Sequence, residues 1–108
     1  GSDTVAVFEG FMDYLSYMSM HRERRPGSDA IVLNSVSNLS KAMSSIASHT
    51  TILTYLDNDE AGRRTMAEIR RQAEGRTVID RSELYKEYND LNDYWKAHAR
   101  NVGIRIIR

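Results

Sequence analysis

The strongest constraint on this chain is an alternation, in which short apolar, β-branched runs are separated by segments of helical period. Thr4-Val5-Ala6-Val7-Phe8 runs into Glu9-Gly10, Ala30-Ile31-Val32-Leu33 into Asn34-Ser35, the run from Thr50 to Leu56 into Asp57-Asn58-Asp59, and Thr77-Val78-Ile79 into Asp80. Between these strands, Phe11, Met12, Leu15 and Met18 keep helical spacing, and Leu39, Ala42, Met43 and Ile46 form one stripe behind a Ser37 cap. A third helix from Glu60 to Glu74 carries Gly62, Met66, Ile69 and Ala73 on one face and ends at Gly75. A polar loop over 81–89 leads to a last helix over 90–100, with Trp95 assigned to the core. Strands alternating with helices predict an α/β fold, a three-layer sandwich with a mainly parallel sheet of about four strands and helices on both faces.

The 108 residues suit one domain, and 28% charged residues without a long apolar run exclude a membrane span and argue against disorder. Fifteen Lys and Arg balance fifteen Asp and Glu, so net charge alone cannot draw the chain onto DNA, RNA or an anionic membrane. The absence of cysteine excludes disulfides, thiolate zinc sites and thiol nucleophiles, and it suits a reducing, cytoplasmic setting. Residues 1–3 read as a linker or an added scar, 4–100 as the domain, and 101–108 as a tail or edge strand. Further domains are expected beside it in a longer parent protein.

In a parallel sheet, strand carboxyl ends and helix N-termini share one edge, where ligands gather. That edge collects Glu9, Asp57 and Asp59, with Asn34, Ser35 and Asp80 beside them. Such acids serve as caps and turn formers. Alternatively Asp57 and Asp59, two residues apart, hold a divalent cation such as Mg2+, with Glu9 as third ligand or general acid/base. The stretch from Asp57 to Glu68 imitates a calcium loop, but Ala61 stands at a ligand position and a strand precedes it where a helix is required. Arg63 and Arg64, in the first turn of a helix, suggest a nearby anion, either the acids or a phosphate. Arg22, Arg24 and Arg25 fall on the opposite edge and read as a solvated loop. His21, His49 and His98 lack metal spacing, and Ser35, Ser37 and Ser40 lack a base partner. Tyr85 and Tyr88, flanking Lys86-Glu87, either pack or stack on bases.

Glu9-Gly10-Phe11-Met12-Asp13, the strand Ile31-Val32-Leu33 with Asn34-Ser35, and Thr51 to Leu56 running into Asp57-Asn58-Asp59-Glu60-Ala61-Gly62-Arg63 together resemble a Toprim domain of the bacterial-type DNA primases and primase-like proteins of mobile elements. The resemblance covers about Val5 to Asp93, most of the chain. It implies that Glu9 is the catalytic acid or base, that Asp57 and Asp59 bind Mg2+ (Mn2+ as substitute), and that Gly10, Asp13 and Gly62 belong to the structural motif. The family's downstream Asp-Pro-Asp-Asp pattern corresponds here to Glu87-Tyr88-Asn89-Asp90, which carries the metal role to Glu87 and Asp90. Without the proline and one acid, the number of metals stays open. Arg63, Arg64 and Lys86 are the candidate phosphate contacts.

The implied activity is nucleotidyl or phosphoryl transfer on nucleic acid, with a DNA template and nucleotides as partners and little activity for the isolated chain. A nuclease or topoisomerase-related domain, a receiver-like phosphoacceptor and a non-catalytic protein-binding domain are the alternatives.

Overall fold

The computed structural model describes residues 2–22 and 27–101. Four strands, β1 (Thr4–Phe8), β2 (Asp29–Val32), β3 (Thr51–Tyr55) and β4 (Thr77–Asp80), alternate with helices α1 (Phe11–Met20), α2 (Leu39–Ala47) and α3 (Glu60–Gln72). Helix α4 (Leu91–Asn101) follows β4 after a single 3-10 turn, Ser82–Tyr85. The strands form one parallel sheet in the order β2-β1-β3-β4. No helix among the described residues is long and apolar enough to cross a membrane.

Strand β1 is central, and Val5, Ala6, Val7 and Phe8 are all fully buried, as expected of a parallel strand covered on both faces. Side chains alternate across the sheet, so Val5 and Val7 enter one core while Ala6 and Phe8 enter the other. The first core takes Leu39, Met43 and Ile46 from α2 and Met66 and Ile69 from α3. The second is aromatic: Phe8 stacks on Tyr55 with ring centres 5.1 Å apart, and Tyr17 of α1, Tyr85 and Leu91 complete it. The expected three layers are therefore present, with α2 and α3 on one face and α1 and α4 on the other.

The details depart from the sequence reading where tertiary partners decide. In α1, Phe11, Met12 and Leu15 face outward, and Tyr14, Tyr17 and Met18 pack inward against the aromatic core. Strand β2 begins and ends one residue early because Asn34, at φ 64°, turns the chain just after Leu33. Ser35 rather than Ser37 supplies the cap, accepting from the Ser37 N–H to open a 3-10 turn, Val36–Asn38, ahead of α2. The polar loop over 81–89 contains the buried Tyr85, whose hydroxyl donates to the Leu56 carbonyl at 2.7 Å. Trp95 is half-buried rather than core. The edge strand expected over 102–107, and Arg24 and Arg25, lie outside the described residues.

Candidate metal centre

The chain leaves β1 toward β2 on one side and leaves β3 toward β4 on the other, so the crossover direction reverses between the adjacent strands β1 and β3. A crevice opens at such a reversal beyond the strand carboxyl ends. Phe8 pairs with Tyr55 at the top of the two strands, which brings Glu9 and Asp57 out beside each other. One carboxylate oxygen from each of Glu9, Asp57 and Asp59 lies within 4.8 Å of the others, and all three residues are half-buried. The Asp57 N–H points at Glu9 Oε1 at 3.4 Å.

Asp59 is held by a second task. Its Oδ1 caps α3 by accepting from the Gly62 N–H at 2.8 Å, which leaves the other oxygen for the cluster. Thus the cap reading and the ligand reading are compatible at this residue. Gly62 is fixed by space, because a Cβ there would lie 2.0 Å from the Asp57 carbonyl oxygen. Gly10 is the residue before α1, and a Cβ on it would make only an ordinary 3.4 Å contact with Asp13.

Asp13 lies in the first turn of α1, only 6% exposed. Its Oδ1 accepts from the Asn92 N–H at the start of α4, at 3.1 Å. Asp90 is half-buried just before α4, accepts from the Asp93 N–H at 2.8 Å, and lines the same groove as Glu9, Asp13 and Asp57. The clustering is electrostatically uphill. Burial, then the hydrogen bond and the charge of Glu9, then the charges of Asp13 and Asp90 push the Asp57 carboxyl from 3.8 up to about 8. Burial, with repulsion from Asp90 and Glu9 partly offset by hydrogen bonds from the Asn92 and Gly10 backbones, pushes Asp13 up to about 6.

Asp57 Oδ1 is buried with no hydrogen-bond partner. A buried oxygen left unpaired beside two further carboxylates is the donor set a hard divalent cation takes, so the residues fit such an ion. Other predicted residues stay outside this cluster. Glu87 is exposed and lines neither groove described here. Arg63 is exposed and lines a smaller groove with Asp57, Asn58 and Asp80. Arg64 pairs with Glu60 at 3.4 Å and Lys86 with Glu83 at 3.4 Å, both on the open surface.

Sequence reasoning gave Asp13 only a structural part and gave Asn58 none, yet both bind the segment that carries Asp90. An amide between two aspartates was the available signal for Asn58.

A parallel α/β sheet with an acidic cluster at the carboxyl ends of its central strands is the class of domain that the structure defines. The chain belongs to the Toprim family, since the model described as Toprim-like matches residues 6–95. Among solved structures, the crystal structure of the primase fragment of bacteriophage T7 primase-helicase superposes with a TM-score of 0.71 at 22% identity. That match covers 94% of this chain and 43% of the T7 fragment, and at this identity it establishes the fold. No curated protein sequence matches the chain.

Proposed function

We propose that this chain is the Toprim catalytic domain of a DNA primase-like protein, working in magnesium-dependent nucleotidyl transfer on nucleic acid as part of a longer protein. The observation that carries the reading is the cluster of Glu9, Asp57 and Asp59 carboxylates, in which Asp57 Oδ1 is buried without a hydrogen-bond partner. The T7 relative, a primase fragment by its description, supports the choice of primase within the family.

Asp57 and Asp59 would hold the ion, and Asp90 would add a further carboxylate from the far side of the groove. When bound, a divalent cation supplies neutralisation of the negative charge that builds on phosphate oxygens during transfer. Glu9 stands next to Asp57 and half in solvent, which suits it to hold or move a proton at the attacking or leaving oxygen. Arg63 lies along the neighbouring groove, where it would contact phosphate. The ion pairs of Arg64 and Lys86 are exposed and weak, so both side chains can turn to phosphate. Glu87 would be a peripheral ligand reached only if its loop moves inward. The groove, about 550 Å³, has room for a nucleotide phosphate and a hydrated ion.

The test is template-dependent dinucleotide synthesis by the parent protein carrying Glu9→Gln, Asp57→Asn or Asp59→Asn. Each is expected to lose at least about a hundredfold in turnover. Retention of near wild-type synthesis by Asp57→Asn and Asp59→Asn together would overturn the reading.

A further inference from the structure

We infer that Asn58, between the two aspartates, is the positioning residue that fastens the Asp90 segment to the metal-binding edge. The inference rests on the reading of Glu9, Asp57 and Asp59 as that edge. Three hydrogen bonds from Asn58 cross to the end of the 3-10 turn and to the segment that joins it to α4. Its backbone N–H donates to the Asn89 carbonyl at 2.6 Å, and its side-chain Nδ2 donates to the carbonyls of Tyr85 at 3.0 Å and Tyr88 at 2.9 Å. Both hydrogens of the amide are thus used on backbone carbonyls.

The two acceptors also fix which way the amide points, since the reverse orientation would set its oxygen against two carbonyl oxygens. Aspartate has the same shape but no donor, so it would repel both carbonyls and leave them unpaired. The segment has a second tether on the other side of Asp90, where Asp13 accepts from the Asn92 N–H and Ser16 Oγ donates to Asn92 Oδ1 at 3.0 Å. Asp90 therefore sits between a fastening on the β3 loop and one on α1. The two fastenings together hold Asp90 on the groove that Glu9, Asp13 and Asp57 also line. Asn58 touches no reacting group in this arrangement. It acts through Asp90, as outer-shell partners hold metal ligands elsewhere.

The test compares isotope-labelled wild type with Asn58→Asp and Asn58→Ala during Mn2+ titration, following paramagnetic broadening of backbone amides. Thermal melts confirm that each variant is folded. In the wild type, broadening is expected at Glu9, Asp57 and Asp59 and also at Asp90 to Asp93. In both variants the first group stays broadened, the second loses its broadening, and Mn2+ affinity falls by roughly tenfold. Hydrogen exchange without metal gives an independent readout: the Asp93 amide, bonded to Asp90, exchanges faster in the variants. Broadening at Asp90 and affinity both unchanged in the two folded variants would overturn the role of Asn58 alone. Absence of localised broadening in the wild type would overturn the metal site itself, and this inference with it.

Discussion

A side-chain carbon on Gly62 would lie 2.0 Å from the carbonyl oxygen of Asp57 and 2.9 Å from its carbonyl carbon, so the first turn of α3 rests directly on the backbone of a candidate ligand. The obstacle is main chain, which cannot swing aside as a flexible side chain would. Gly62→Ala must therefore lift α3 or push Asp57 out of the cluster, and it also threatens the Gly62 N–H to Asp59 cap. The expected cost is about 2–3 kcal/mol, a fall in Tm of roughly 10 °C, with loss of Mn2+ binding. Thermal denaturation followed by circular dichroism checks this, and a Tm within a degree or two of wild type would contradict the packing.

Asp57 sets function against stability. Its carboxyl is raised in the fold from 3.8 to about 8, so the folded state holds a proton that the unfolded state has already released across that interval. Stability of the metal-free protein therefore falls as pH rises from about 4 to about 8. Asp57→Asn removes the penalty. After allowance for the carboxyl's partial solvent exposure, the variant should be more stable than wild type by about 1 kcal/mol near pH 8 and little different near pH 4. Melts at both pH values in the presence of a chelator decide it, and a variant less stable at the higher pH would be the contrary result.

The parts legible in the sequence were those carried by local pattern. Strand runs ending at Glu9, Asp57 and Asp80 needed only β-branched composition and a polar stop, and the parallel sheet followed from alternation. The inward face of α1 was not legible, because Phe11, Met12 and Leu15 have the more hydrophobic spacing yet face solvent. What turns the helix is the aromatic core around Phe8 and Tyr55 on one side and the bond from Asn92 to Asp13 on the other. Tyr85 looked like a loop residue for the same reason, since its partner, the Leu56 carbonyl, lies 29 positions away. The acids could be placed on one edge by sequence. That β1 and β3 are neighbours, which brings Glu9 against Asp57, required the strand order.

At the opposite edge of the sheet, His49 Nε2 and Asp29 Oδ2 are 2.8 Å apart, and Ser2 N–H also donates to that oxygen at 3.1 Å. The hydrogen bond with His49 lowers Asp29 below 3.8, and the same bond raises His49 above 6.5. The Asp29 contribution is present above the ordinary carboxylate value and lost as pH falls through the lowered one. The His49 contribution is present below the ordinary imidazole value and lost as pH rises through the raised one. Their shared window runs from about pH 4 to about pH 6.5. His49→Gln should lower Tm inside that window and matter less as pH rises through the raised imidazole value, and a deficit constant across the range would show that packing, not charge, holds His49.

Metal binding should carry the signature of Asp57 most directly. A carboxylate ligates only after losing its proton, and Asp57, raised to about 8, is still protonated in the metal-free fold at neutral pH. Each ion that enters must then displace about one proton from the carboxylate cluster around this residue. The affinity for Mg2+ or Mn2+ is expected to rise about tenfold per pH unit from about pH 6.5 to about pH 8 and to level off above that. Below about pH 6 the slope steepens as Asp13, raised to about 6, also takes up a proton and no longer adds its charge to the field at the site. Calorimetric titrations in two buffers of different ionisation enthalpy measure the protons released, close to one per ion near pH 7 and approaching zero near pH 9. An affinity independent of pH across this range would mean that Asp57 is already ionised in the free protein. The crowding of Glu9, Asp13 and Asp90 around it would then be relieved by water rather than by a shared proton.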